Sequence, residues 1–198
     1  MENLKILLAS NNKNKLIEYK ELFSGYNITF LTPKDLNIVE DIEETGKNYK
    51  QNALIKAKFY KKMTNLIILS DDSGIEINSI GFRKPGIYSH RYAIKLGGQE
   101  NANQYLIHNC YNSRAHFTCC ICLLNVTNKP LYFIGKVKGI ISTTLEGQNG
   151  FGYDPIFIVK KINKTMSSLT NIEKNSISHR GNASRKVIEY LLKNNLIS

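Results

Sequence analysis

The pattern of apolar and polar residues along the chain predicts strands that alternate with helices. Short apolar runs at Lys5–Ala9, Ile28–Leu31 and Leu66–Leu69 have the length of buried strands. Between these runs, apolar residues recur at helical spacing after Lys15 and from about Lys47 to Met63. Strands that alternate with helices are typical of an α/β fold.

The second half of the chain predicts a helix followed by a pair of long strands. The helix covers Gln99–Cys110, and the strands cover Phe117–Val126 and Leu131–Ile141, with a turn at Thr127–Pro130 between them. A closing helix follows Gly181. No internal repeat, low-complexity linker or change of composition marks a boundary, so the sequence predicts a single domain over residues 1–198.

Two carboxylates follow the third apolar run. The residues from Ser70 to Gly74 are turn formers, so the pattern predicts that the strand ends at Leu69 and that another begins at Ile75. Acids placed beyond the carboxyl end of a strand are candidate metal ligands or bases, which makes Asp71 and Asp72 candidate functional residues. The alternative is a turn that only ends the strand.

A polar loop at Ser10–Lys15 joins the first strand to the first helix. Free backbone N–H groups at a helix N-terminus, with lysines beside them, form an anion site. The alternative is that Asn12 is a simple N-cap. Further along, Lys56 shares a helical face with Asn52 and Ala53, so it either reaches past apolar neighbours to solvent or meets an anion.

Two stretches near the C-terminus combine polar side chains with glycine or an aromatic ring. Gly147–Phe157 holds three glycines around Phe151, which suits close approach of a ligand and stacking of the ring on a flat base. The alternative is that Phe151 packs in the core. Glu173–Gly181 precedes the closing helix and forms a second candidate site for an anion or the edge of a base. Its polar members are Lys174, Ser178, His179 and Arg180.

Composition and charge limit the classes of molecule that the protein is expected to bind and the compartment in which it is expected to occur. The formal net charge of +11 is compatible with a polyanion, but the lysines are dispersed, so we expect a phosphate-bearing small molecule and no specific nucleic acid. Three of the four cysteines lie in one apolar run, which predicts core thiols and the reducing conditions of the cytoplasm. No apolar run approaches the roughly 18 residues of a membrane span, so no membrane association is expected.

Six motifs together resemble the inosine triphosphate pyrophosphatase family. They are SNNKNK, EETG followed by Asn52, Ala53 and Lys56, SDDSG, PGIYSHRYA, GFGYDPIF and EKNSISHRG, and they span nearly the whole chain. The resemblance implies hydrolysis of ITP, dITP and XTP to the monophosphate and pyrophosphate. It also implies an α/β fold with a long, mixed, twisted sheet and flanking helices, two lobes around a central substrate cleft, and a homodimer.

The resemblance further implies a role for each site residue. Glu44 and Asp72 bind Mg²⁺, Asp72 accepts the proton of the attacking water, and Ser73 contacts the substrate. The substrate-binding residues of SNNKNK are Ser10, Asn11, Asn12, Lys13, Asn14 and Lys15, and Lys56 and Lys174 add positive charge around the triphosphate. The remaining substrate-binding residues stack on the base or read its edge, and they are Phe151, Gly152, Tyr153, Asp154, Ser178, His179 and Arg180.

Three other functions stay open at this point. A nucleotide-binding module without catalysis would keep Phe151 and the lysines, but it does not need Glu44 and Asp72 together. A nucleic-acid-binding protein would bind DNA or RNA with a steep dependence on salt. The third function is that of a related pyrophosphatase that acts on pyrimidine or modified nucleotides. Only the match to the six motifs argues against it.

Overall fold

The computed structural model describes residues 3–40 and 42–198, so Met1, Glu2 and Asp41 lie outside the described residues. The strands are β1 (Leu4–Leu8), β2 (Ile28–Leu31), β3 (Ile67–Ile77), β4 (Arg114–Leu124), β5 (Leu131–Ile141), β6 (Phe157–Val159) and β7 (Lys164–Thr165). The helices are α1 (Lys13–Leu22), α2 (Tyr49–Lys61), α3 (Ser89–Lys95), α4 (Gln99–Cys110), α5 (Asn171–Ile177) and α6 (His179–Lys193).

The seven strands form one mixed sheet in the order β2-β1-β3-β4-β5-β6-β7. β1 pairs in parallel with β2 and with β3, whereas β6 pairs antiparallel with both β5 and β7. A parallel pair needs a crossover connection, and α1 supplies it between β1 and β2. The predicted α/β class with a mixed sheet and flanking helices is therefore confirmed.

The predicted turn after Leu69 is wrong, because β3 continues through it to Ile77. The polar side chains of this segment are bonded to neighbouring elements, and these partners outweigh the local preference for a turn. Ser70 Oγ, for example, donates to the carbonyl of Ala53 at 2.6 Å. A Cβ at Gly74 would lie 2.1 Å from the Gly86 oxygen, so this position in the strand requires glycine.

The described chain divides into two compact units. The first contains the chain up to Asp72 together with Cys119–Ile134 and Ala183–Ser198. Consecutive β1 residues point to opposite faces of the sheet, so Ile6 and Leu8 belong to one buried cluster and Leu7 to another. α1 and the C-terminal part of α6 pack in the first cluster, and α2 packs in the second.

The second unit contains Ser73–Thr118 and Gly135–Asn182. Its core is one cluster that joins β3, α4, β6 and the loop after β7 through Ile77, Leu106, Phe157 and Met166. None of the helices in the described ranges is long and apolar enough to cross a membrane.

All four cysteines are free and buried, as the sequence predicted for core thiols. Three of them lie on β4, and Cys110 ends α4. Burial raises the pKa of the Cys120 thiol to about 11 and that of Cys122 to about 12. At neutral pH these two thiols are therefore protonated, and protonated thiols are poor nucleophiles.

Candidate functional site

The first unit contains a carboxylate–lysine cluster built from Lys15, Glu44, Lys56, Asp71 and Asp72. The two aspartates are consecutive on β3, so their side chains point to opposite faces of the sheet. This alternation explains why they have different partners. The sequence pattern predicted a turn for this pair, but both residues lie within the strand.

Asp71 forms a buried ion pair with Lys15. The Lys15 ammonium lies 2.9 Å from Asp71 Oδ1, and the Asp71 side chain is fully buried. The Cys119 thiol is 3.8 Å from the other carboxylate oxygen of Asp71. Lys15 at the start of α1 is therefore held by a charge on β3.

Lys56 forms an ion pair with the Glu44 carboxylate. Of the two interpretations of this lysine, contact with an anion therefore holds, and extension past apolar neighbours to solvent does not. Its ammonium lies 2.5 Å from Glu44 Oε1, and both side chains are only partly exposed. Burial alone would lower the pKa of Lys56, but the carboxylates of Asp71, Glu44 and Asp72 outweigh it and raise the pKa above its ordinary value. Lys56 therefore carries its positive charge at neutral pH.

Asp72 is a buried carboxylate that several charges surround. Its pKa is raised to about 6, mainly by burial and also by nearby Glu44, against the opposing effect of Lys56. Asn52 Nδ2 donates a hydrogen bond to Asp72 Oδ2 at 3.0 Å. A carboxylate in this position is stabilised in its charged form by any additional cation.

The same Asn52 also holds the loop that follows Glu44. Its Oδ1 accepts the Gly46 N–H at 2.8 Å. The role of Asn52 was not predicted from the sequence. The signal that could have found it is its position four residues before Lys56 on the same face of α2.

The donor set of this cluster fits Mg²⁺. In the ranges 3–40 and 42–198, no group of three or more His, Cys, Asp or Glu side chains could hold a metal ion. Mg²⁺, however, usually binds one or two carboxylates and completes its coordination with water and substrate phosphates. Glu44 and Asp72 supply two carboxylates, and Glu44 acts electrostatically on Asp72.

The loop before α1 is capped by its own side chain. Asn12 Oδ1 accepts the N–H groups of Asn14 and Lys15 at 3.0 and 3.2 Å, so the N-cap interpretation of Asn12 is confirmed. Ser10 Oγ accepts the Asn12 N–H at 3.2 Å. The side chains of Asn11, Lys13 and Asn14 are exposed. An anion at this helix start would therefore meet side chains and would compete with Asn12 for two of the backbone N–H groups.

The second unit contains an aromatic–cation cluster built from Ser73, Phe151, Asp154, Lys174 and Arg180. Asp154 Oδ2 accepts from the Phe151 N–H at 2.9 Å and from the Lys174 ammonium at 2.6 Å. The Lys174 ammonium is 5.1 Å and the Arg180 guanidinium 5.8 Å from the centre of the Phe151 ring. Arg180 also donates to Ser73 Oγ at 3.0 Å.

The Phe151 loop depends on a glycine at position 150. Gly150 has φ +79°, and a Cβ there would lie 2.3 Å from Asp154 Oδ2 and 3.0 Å from the Lys174 ammonium. The Phe151 side chain is half-buried, so the ring is neither enclosed in the core nor fully exposed. The geometry thus places a partly accessible ring next to two cations.

Other residues predicted for this site have partners within the fold. Tyr153 is buried, and its hydroxyl donates to the Ser89 carbonyl at 2.7 Å. The His179 ring stacks on Phe117 with centroids 4.7 Å apart. Gly152 O accepts from Asn103 Nδ2 at 3.0 Å, and Ser178 Oγ accepts the Gly181 N–H at the same distance.

The closing helix begins at His179, so Glu173–Gly181 precedes it only as far as Ser178. Lys174 belongs to the short helix α5, while His179 and Arg180 already lie in the first turn of α6. Thr170 and Glu173 form a capping box that starts α5, a helix that was not predicted from the sequence. Ser178 lies between the two helices.

The fold and the two clusters define a class of protein. It is an α/β protein with buried carboxylates and lysines in one unit and a partly accessible aromatic ring flanked by cations in the other. The charges of the first cluster suit phosphate groups, and the ring and cations of the second cluster suit a flat ring.

The chain belongs to the Ham1 family, whose family model matches residues 6–190. This result confirms the family predicted from the six motifs. A dITP/XTP pyrophosphatase of Caldanaerobacter subterraneus subsp. tengcongensis is 41% identical over 196 residues, which cover 96% of this chain and 97% of that protein. A dITP/XTP pyrophosphatase of Staphylococcus epidermidis is 38% identical over 191 residues, covering 94% and 95% of the two chains.

Solved structures of the same family have the same fold. A HAM1 protein from Coxiella burnetii superposes with a TM-score of 0.84 at 38% sequence identity, covering 96% of this chain and 99% of that chain. The Staphylococcus aureus Ham1 protein superposes with a TM-score of 0.82 at 35% identity, covering 96% and 99%.

Proposed function

We propose that this protein hydrolyses non-standard purine nucleoside triphosphates such as ITP, dITP and XTP to the nucleoside monophosphate and pyrophosphate. The chain belongs to the Ham1 family, and relatives similar to it in sequence are dITP/XTP pyrophosphatases, which supports this proposal. The observation that carries it is the buried Asp72 beside Glu44 and Lys56, because a binding module without chemistry does not need these buried charges.

The triphosphate and the metal ion are assigned to the first unit. Glu44 and Asp72 hold Mg²⁺, which when bound supplies positive charge against the phosphoryl oxygens. Lys15 and Lys56 neutralise phosphate charge, and each ammonium has three N–H donors, so it can keep its carboxylate partner and still bind an oxygen. The other phosphate contacts come from Ser10, Asn11, Asn12, Lys13 and Asn14.

The attacking water is assigned to Asp72. Asn52 occupies one oxygen of this carboxylate, which leaves lone pairs to accept a proton from water. Attack at the α-phosphorus then makes pyrophosphate the leaving group. Lysines of the cluster stabilise the charge that develops on it.

The purine base is assigned to the second unit. Phe151 stacks on the ring and Arg180 donates to the 6-oxo group, and both residues belong to the same cluster. Lys174, beside the Phe151 ring, adds positive charge around the triphosphate. The remaining base-binding and substrate contacts are assigned to Ser73, Gly152, Tyr153, Asp154, Ser178 and His179. ATP carries an amino group at position 6, so it would leave a donor unpaired. The cost is about 1–3 kcal/mol and larger for a charged donor, so discrimination of about 100-fold or better in kcat/KM is expected.

The oligomeric state and the cellular compartment are also part of the proposed function. We propose a cytoplasmic homodimer, supported by the family resemblance and, for the compartment, by four free and buried thiols. Sedimentation velocity at micromolar concentration tests the dimer, and a monomer throughout would contradict it.

The experiment that tests the function measures pyrophosphate release from a panel of ITP, dITP, XTP, ATP and GTP with Mg²⁺. In ¹⁸O-water the label should enter the monophosphate and be absent from pyrophosphate. Label in pyrophosphate, or direct release of orthophosphate, would refute attack at the α-phosphorus. ATP turnover equal to that of ITP would refute the selectivity and leave the hydrolysis in place.

A further inference from the structure

We infer that Asn52 is a positioning residue that fixes the Asp72 carboxylate and the loop after Glu44 to each other. This inference rests on the proposed function and adds a residue to which none of the site roles above was given. Its starting point is that Asn52 is fully buried and bonded through both ends of its amide.

The orientation of the Asn52 amide follows from its partners. A backbone N–H can only donate, so the atom 2.8 Å from the Gly46 nitrogen must be the amide oxygen. The amide nitrogen then faces Asp72 Oδ2 at 3.0 Å, where a carboxylate can only accept. Each partner independently requires the same orientation.

The contact is also close on the loop side. A Cβ at Gly46 would lie 2.4 Å from Asn52 Oδ1 and 2.8 Å from the Asn52 nitrogen. The loop can therefore approach α2 this closely only with glycine at position 46. Gly46 is two residues after Glu44, so the same amide restrains the loop that carries one carboxylate and directly holds the other.

This arrangement has a consequence for the metal ion. Two carboxylates from distant parts of the chain must be held in fixed relative positions before an octahedral ion can bind both, and residues that hold the ligands change metal affinity by about 10- to 100-fold when they are replaced. Among the described residues, Asn52 is the only hydrogen-bond donor to the Asp72 side chain. Asn52 is thus placed to act on metal binding and turnover without touching the substrate.

The test compares Asn52→Ala with Gln51→Ala as a matched control. Gln51 precedes Asn52 on α2, and its Oε1 accepts the Lys47 N–H at 2.7 Å. Both variants therefore remove a side-chain bond to the same loop, but only Asn52→Ala removes the bond to Asp72.

Two measurements are made on each variant. The first is kcat and KM for ITP over a range of Mg²⁺ concentrations, and the second is the Kd for Mn²⁺ alone, measured from the electron paramagnetic resonance signal of the free ion. For Asn52→Ala we expect kcat to fall and the Mn²⁺ Kd to rise by about 10- to 100-fold each, with KM changed by less than about threefold. Gln51→Ala should stay within about twofold of the wild type in all three.

Asn52→Asp separates the two hydrogen bonds and serves if Asn52→Ala does not fold. Its carboxylate can still accept from Gly46 but cannot donate to a charged Asp72, so kcat should fall about as far as in Asn52→Ala. Wild-type kcat in a folded Asn52→Asp variant overturns the inference, as does an unchanged Mn²⁺ Kd in folded Asn52→Ala. A wild-type protein that binds Mn²⁺ but releases no pyrophosphate would instead overturn the proposed function, and the Mn²⁺ comparison would still decide the role of Asn52.

Discussion

Replacing Lys174 with methionine should strongly destabilise the protein, independently of any effect on substrate. The Lys174 and Asp154 side chains are only 5% and 6% exposed, and their charged atoms lie 2.6 Å apart. Methionine has a similar length but no charge, so Lys174→Met leaves the Asp154 carboxylate buried beside the Phe151 N–H and removes the Lys174 ammonium from it.

The magnitude follows from the burial of the pair. Removing one partner of a buried ion pair typically costs about 3–5 kcal/mol, because the remaining charge is desolvated without compensation. For a chain of 198 residues, each kcal/mol lowers Tm by roughly 2–4 °C, so we expect a fall of roughly 6–20 °C. Differential scanning calorimetry without nucleotide measures this change.

Two controls make this prediction specific. Lys161→Met removes an exposed lysine from the same unit and should change Tm by no more than about 2 °C. Adding Asp154→Asn to Lys174→Met removes the stranded charge but keeps an oxygen that can accept from Phe151, so the double variant should recover at least about half of the loss. A Tm for Lys174→Met within about 2 °C of the wild type, or no recovery in the double variant, would refute the reasoning.

Three further predictions concern the site and the core. Asp72→Asn should keep the fold and lower kcat by at least about 100-fold, since it removes the proposed base and metal ligand. Glu43→Gln changes the exposed neighbour of Glu44 and serves as the control, and near-wild-type turnover of folded Asp72→Asn would contradict the proposed role. Phe151→Ala should raise KM for ITP and lower kcat/KM by about 5- to 150-fold, because stacking contributes roughly 1–3 kcal/mol. An unchanged KM with a large fall in Tm would show that the ring is part of the core. Iodoacetamide at pH 8 should modify none of the four cysteines of the native protein and all four in urea. The thiols are buried, and the raised pKa of Cys120 keeps its thiol protonated. Rapid labelling without urea would contradict the buried positions.

Local pattern determined much of the fold. β1 alternates Ile6, Leu7 and Leu8 between two buried faces, and a run that is apolar on both sides is what a central parallel strand requires. The helical spacing that placed Asn52 and Lys56 on one face of α2 is also local, because it depends only on 3.6 residues per turn. Asn12 capped its helix as its residue type and position indicated.

The errors made from the sequence occur where distant partners decide the backbone. Ser70–Gly74 has the composition of a turn, yet it lies inside an 11-residue strand. Asp71 forms an ion pair with Lys15, which is 56 residues away in the sequence, and Asp72 accepts a hydrogen bond from Asn52, which is 20 residues away. A turn preference is worth less than these bonds, and nothing local to the segment reveals them.

The sequence by itself determined which residue types were available, the alternation that makes a central sheet, and the six motifs that identified the family. Only the tertiary structure decided the charge partners: Lys15 with Asp71, Lys56 with Glu44, and Lys174 with Asp154. The physical reason is that periodicity is set by bonds along the backbone, whereas an ion pair forms wherever folding brings two charges together out of water. The sequence therefore shows which charged residues are present, and the packing of the strands and helices determines which of them form ion pairs.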